Sequence, residues 1–186
     1  MAKINGFKVK KVKEFRQKGK TYFCGNLCLE GKKIGEWSTN IHGMNNFVLK
    51  KEFSEEKIQK LLEEEYPRTE FPDGYSLNDL ILDLLELKKL QKLYKRELKK
   101  TKCPVLVILS KNKEVPYHFQ HISSCFYYCY SDEMLKQNDE SFKEQLFRVL
   151  NQPDDDWTGH KLIGEVFRSL DDFSVGRKFF LDEIRI

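Results

Sequence analysis

The sequence predicts an α+β protein: an N-terminal antiparallel β-meander, a helical middle with one long helix, and a second set of strands with packed C-terminal helices. Three observations predict it. Residues 1–52 alternate apolar and polar positions between Gly-containing turns, and residues 53–100 change to a helical period behind two capping serines. From Cys103 a continuous apolar run, CPVLVIL, has the composition of a strand buried on both faces. The expected organisation is a basic β-meander lobe over 1–52 and a helical and α/β lobe over 53–186, forming one compact unit.

In GFKVKKVKEF the alternation of Phe7 and Val9 breaks and resumes at Val12, which predicts a bulge near Lys10 and Lys11. A turn at Gly19 leads into TYFCGNLCLE, where Phe23, Gly25, Leu27 and Leu29 share one face and Tyr22, Cys24, Asn26 and Cys28 the other. EGKK turns the chain into a third strand, IGEWSTNI, and HGMNN (42–46) reads as a loop. Ser54 is the N-cap expected for a helix with Ile58, Leu61 and Leu62 on one face, which Tyr66-Pro67 ends. Ser76 and Asp79 form a variant capping box for the long helix, whose apolar period runs from Leu77 to about Lys100. After CPVLVIL, the turn KNKE leads into VPYHFQHISSCFYYCY (115–130), a strand by its β-branched and aromatic content. ESFKEQLFRVLNQ and HKLIGEVFRSL carry apolar residues at helical spacing, and the tail GRKFFLDEIRI reads as a last strand.

The charge is unevenly spread. The chain of 186 residues has a formal net charge of +4, yet residues 1–51 hold twelve Lys and Arg against three Glu. Residues 130–156 carry eight acidic residues against three basic ones. Such segregation suits either a positive face for phosphates with a negative face for a basic partner, or an ordinary solvated surface. No apolar run approaches the roughly 20 residues of a membrane span, and MAKINGFKVKKVK lacks the apolar core of a signal peptide. No membrane partner is therefore expected, and the five cysteines read as reduced thiols of a cytoplasmic protein.

The residues raise four possible chemistries. His118, His121, Cys125 and Cys129 are ligand types that zinc accepts, but strand alternation sends residues three apart to opposite faces, so no metal is expected. Metal-independent RNA cleavage needs one group to take the 2′-OH proton and another to protonate the leaving oxygen. His42 in its loop, with His118 and His121 near a strand start, are the candidates; ordinary surface or half-buried histidines would look the same. Cys125 and Cys129 have apolar neighbours, which raise a thiol pKa and suit core packing better than nucleophilic attack. Asp154, Asp155 and Asp156 could hold Mg²⁺, or could simply cap the following helix. No phosphate-binding fingerprint, serine elbow or zinc-protease helix is present, and no cofactor is expected.

The basic meander carries the remaining signal. Lys8, Lys10, Lys13, Arg16, Lys18, Lys20, Lys32 and Lys33 are interleaved with Phe7, Phe15, Tyr22 and Trp37. Such a surface can bind phosphate backbone and offer aromatic faces to unpaired bases, unless the lysines merely solvate a strand pair with aromatics in its core.

The order INGFKVKKVKEF, NLCLEGKKIGEWS, a Gly/Asn loop and a Leu-rich helix resembles small proteins of phages and mobile elements in low-GC Gram-positive bacteria, in particular anti-CRISPR inhibitors of type II (Cas9) systems. The resemblance spans residues 4–100 and rests on pattern, so no functional residue carries over from it. It implies an inhibitor in the bacterial cytoplasm that contacts a Cas9-type effector or its guide RNA, by occlusion or by truncating the guide. Two other expectations stand beside it: a stand-alone metal-independent ribonuclease or nucleic-acid-binding accessory protein, and a protein-interaction adaptor.

Overall fold

The protein was described from a computed structural model, which describes residues 1–40, 44–68, 74–101, 104–110, 126–131, 163–179 and 181–185. The architecture is α+β, with an N-terminal meander as expected. Five strands come first: Lys3–Ile4 (β1), Phe7–Gln17 (β2), Lys20–Leu29 (β3), Lys32–Thr39 (β4) and Asn45–Leu49 (β5). Helices Glu55–Glu65 (α1) and Leu77–Thr101 (α2) follow. Then come strands Pro104–Ser110 (β6), Phe126–Ser131 (β7) and Ile163–Phe167 (β8), a 3-10 turn at Asp171–Phe173, strand Ser174–Val175 (β9), and a short helix Leu181–Arg185 (α3).

The chain divides into two compact units. One comprises Ala2–Leu87 with Ser174–Ile186; the other comprises Lys88–Phe173, with Met1. The division falls inside α2.

The first unit is built on a six-stranded sheet in the order β5-β4-β3-β2-β1-β9. All its neighbours are antiparallel except β1 and β9, which run parallel. Three of its hairpins share one device. Asn5-Gly6, Lys18-Gly19 and Glu30-Gly31 each place both central residues at positive φ, the primed turn whose twist matches that of the flanking strands. Along β2 and β3 the partner of Lys10 is Asn26 and that of Lys13 is Cys24, so β2 carries one extra residue. This is the bulge expected at Lys10 and Lys11, and Lys11 takes a left-handed φ of 51° there.

The bulge keeps the apolar residues on one side. Phe7 and Val9 of β2 pair with Leu29 and Leu27, which share their face with Trp37 of β4. These side chains are all buried, together with Ile58, Leu61 and Leu62 of α1 and Leu77, Leu80, Ile81, Leu84 and Leu87 of α2. Both helices begin where their caps predict. The Ser54 hydroxyl accepts from Lys57 N–H at 3.2 Å. Ser76 and Asp79 cap reciprocally, Ser76 N–H donating to the Asp79 carboxylate at 2.8 Å and Asp79 N–H to the Ser76 hydroxyl at 3.2 Å. The Asn78 carboxamide oxygen accepts from Asn45 N–H at 3.0 Å, tying β5 to the first turn of α2.

Buried polar groups are tied to one another. Asn5 donates to the Tyr66 hydroxyl at 2.9 Å, the rings of Tyr66 and Tyr75 lie 4.4 Å apart, and Tyr75 donates to the buried Asp83 carboxylate at 2.8 Å. Burial first, and then the Asp83 charge, push the Tyr75 phenol well above its ordinary pKa, so it stays a donor.

The second unit contains a three-stranded antiparallel sheet in the order β7-β6-β8. The continuous apolar run forms a strand, β6, as expected, and it lies at the centre of this sheet. Two expectations are corrected here. HKLIGEVFRSL does not continue as a helix: Ile163–Phe167 is strand β8, paired along β6 from Leu106↔Phe167 to Ser110↔Ile163. Ile163, Val166 and Phe167 are β-formers, Gly164 disfavours helix, and β6 has an edge free of β7 on which the segment pairs. The tail over 176–186 is not a strand either. Leu181–Arg185 is a helical turn with Asp182 and Glu183 at its start, and its Ile184 is buried. Phe179, just before it, enters the core against Phe7, ring centroids 6.0 Å apart.

Candidate nucleic-acid interface

The face of the sheet opposite the core is where the predicted lysines gather. Register places Lys8 opposite Cys28, Lys10 opposite Asn26 and Lys13 opposite Cys24, while Cys28 also pairs with Lys33 of β4. Opposite residues share a face, so Lys8, Lys10, Lys13 and Lys33 lie together. Lys20, paired with Gln17, has the same parity at the far end of the β2–β3 hairpin. Arg16 and Lys32, partners of Thr21 and Leu29, have the opposite parity. Lys18 occupies the turn. Five of the eight predicted basic residues therefore come to one surface.

At its middle this face carries a depression of about 430 Å³. Lys11, Lys13 and Lys33 rim it, and Asn26, Ser38 and Asn46 supply neutral polar groups to its lining. Lys11 was not among the sequence candidates. Plain alternation would set it opposite to Lys10 and Lys8; the extra residue of the bulge brings it to the depression. Its signal in the sequence was the interrupted Phe7, Val9, Val12 pattern that predicts the bulge.

The electrostatics favour an anion. Lys8, Lys10, Lys11 and Lys13 make no ion pair among the described residues. Partial burial, and then the neighbouring Lys10 and Lys3, hold the Lys8 ammonium below its ordinary pKa. An incoming phosphate would relieve that crowding. Lys33 is the exception, since it donates to Glu36 at 2.5 Å, and this contact holds the Glu36 carboxyl below its usual range. The two can meet because a register shift at Leu27/Cys28 puts β4 residues three apart on the same face. Asn26, Ser38 and Asn46 have no side-chain hydrogen bond among the described residues, so their donors and acceptors are open to a ligand.

The aromatic residues separate by face and by burial. Phe7 and Trp37 are core, Trp37 being 2% exposed, and Tyr22 is buried. Only Phe15 remains exposed, at 44%, stacked on Tyr22 with centroids 5.5 Å apart and an interplanar angle of 17°. The expectation that all four aromatics interleave with the lysines at the surface thus reduces to one ring. Alternation explains it: Phe7 and Trp37 fall on the buried face, Phe15 on the open one.

His42, His118 and His121 lie outside the described residues, as do Cys125 and the acidic run Asp154–Asp156. Among the described residues no three His, Cys, Asp or Glu side chains are grouped as a metal site would need. No helix among the described residues is long and apolar enough to cross a membrane. Comparison with protein-family models, with curated proteins and with solved structures found no match to this chain.

Proposed function

We propose that this protein binds the backbone of an RNA through the outer face of its N-terminal sheet, and that it acts as an inhibitor of a bacterial defence ribonucleoprotein of the Cas9 type by engaging the guide RNA. The observation that carries the binding reading is the lysine set on one sheet face, Lys8, Lys10 and Lys13 by register, with Lys11 and Lys13 lining its depression. Lysines that make no ion pair among the described residues gain most from a ligand that brings several negative charges at regular spacing. The choice of Cas9 as the target comes from the resemblance of residues 4–100 to type II anti-CRISPR inhibitors.

The test mixes the protein with a Cas9-type effector and labelled guide RNA, each alone and then together. Intact guide with loss of DNA cleavage is the expected result. Unimpaired DNA cleavage would overturn the inhibitor reading. Guide shortened only in the ternary mixture would make the inhibition catalytic, and His42→Ala, His118→Ala and His121→Ala would then abolish shortening. Guide shortened without the effector would favour a stand-alone ribonuclease instead.

A further inference from the structure

The lysines of the outer face identify a charge; they do not by themselves choose between a duplex and a single strand. The end of the β2–β3 hairpin does. We infer that the ligand is single-stranded RNA, with one unpaired base stacked on Phe15 while its backbone runs over the depression. The inference rests on the binding reading above and specifies its ligand.

Three observations converge. Phe15 is the one exposed aromatic side chain among the described residues of its unit, and it offers a π-face on which a base can stack. It is held in place rather than loose, because Tyr22, its direct cross-strand neighbour, stacks against it and is itself buried. Its distance from the lysines is also fixed. Phe15 is two residues beyond Lys13 on the same strand face, about 7 Å at the rise of a β-strand. That is a reach suited to one nucleotide, with its phosphate at Lys13 and Lys11 and its base on the ring. A duplex keeps its bases stacked inside and gives Phe15 nothing to stack on.

The lining of the depression argues for RNA over DNA. Phosphate oxygens only accept hydrogen bonds, and the lysines suffice for them. Asn26, Ser38 and Asn46 place donors and acceptors together on the same surface. The 2′-hydroxyl both donates and accepts, and it is the sugar group DNA lacks.

The experiment uses the full chain and fluorescence anisotropy with one labelled sequence in three forms: single-stranded RNA, its RNA duplex, and single-stranded DNA. Single-stranded RNA is expected to bind at least tenfold more tightly than either of the others. Phe15→Ala should weaken single-strand binding by roughly 5- to 150-fold, the range for loss of one base–aromatic stack, and leave the residual duplex binding unchanged. Phe15→Tyr should retain the preference. A 2-aminopurine base in the strand should lose fluorescence on binding wild type and not on binding Phe15→Ala. Equal binding of the duplex, with Phe15→Ala without effect on either, would overturn the stacked single strand while leaving backbone binding in place. Equal binding of single-stranded DNA would overturn the role of the 2′-hydroxyl. Failure of all three forms to bind, with circular dichroism showing folded protein, would overturn the binding reading itself.

Discussion

Lys13 owes its place on the same face as Lys10 to a single inserted residue, so the pair is where the proposed RNA surface is most open to test. Lys10→Glu and Lys13→Glu should each weaken RNA binding by about tenfold at low salt and lower the slope of log K against log salt by about one, as measured by anisotropy titrations over a salt series. Lys32→Glu, on the opposite parity, should do much less. Gly35 tests the sheet itself. A Cβ there would approach the Val48 carbonyl oxygen to 2.8 Å and the Leu49 Cα to 3.1 Å, both on the neighbouring strand backbone. Gly35→Ala should therefore destabilise the fold by about 1–3 kcal/mol in urea denaturation, since backbone cannot step aside as a side-chain tip can. The buried Tyr75–Asp83 pair has the same character. Asp83→Ala removes the acceptor of the Tyr75 hydroxyl and should cost about 1–3 kcal/mol.

At the scale of elements, local signals and structure agree where a segment carries its own stop and start. Both helices begin at the serine their sequences single out, and Ser76→Ala should lower stability by about 1 kcal/mol because two backbone N–H groups of the first turn share that capping box. The hairpins at Gly19 and Gly31 were equally legible. Asn5-Gly6 has the residues of a turn but is hidden in the sequence, because the strand before it is only two residues long and shows no alternation. β5 was obscured by its Asn-rich start, which reads as loop until its pairing with β4 is known. The 3-10 turn predicts a pH effect with a definite sign. Burial works to raise the Asp172 pKa, but the N–H groups of Arg168 and Ser169, at 2.6 and 2.7 Å, outweigh it and hold the carboxyl below its ordinary value. A lowered folded-state pKa contributes stability that is present above the unfolded value and lost as pH falls through the folded one. Thermal melts should accordingly show Asp172→Asn less stable than wild type at pH 7, with the gap closing toward pH 3.

For the molecule as a whole, the salient property is the contrast between a modest net charge and a strongly basic first quarter, +9 over residues 1–51 by twelve basic against three acidic residues. Binding that depends on this region should fall by orders of magnitude between 50 and 200 mM salt if about six phosphates are contacted, whereas adaptor-type protein binding would change little. Inhibition of Cas9 should follow the same salt dependence if it acts through the RNA, which cleavage assays across a salt series would show.

The amino-acid order alone determined the fold class, the caps of both long helices, the β2 bulge and the excess of lysine near the N-terminus, because each is written in local period, turn chemistry or composition. Which lysines lie together was decided only by tertiary structure. Face membership changes with every inserted residue, so the bulge and the β3–β4 register shift had to be placed before Lys8, Lys10, Lys11, Lys13 and Lys33 could be seen on one surface, with Phe15 as its exposed ring. The strand at Ile163–Phe167 was likewise settled by its pairing with β6. A short apolar segment fits a helix or a strand equally well, and its neighbour's open edge makes the choice.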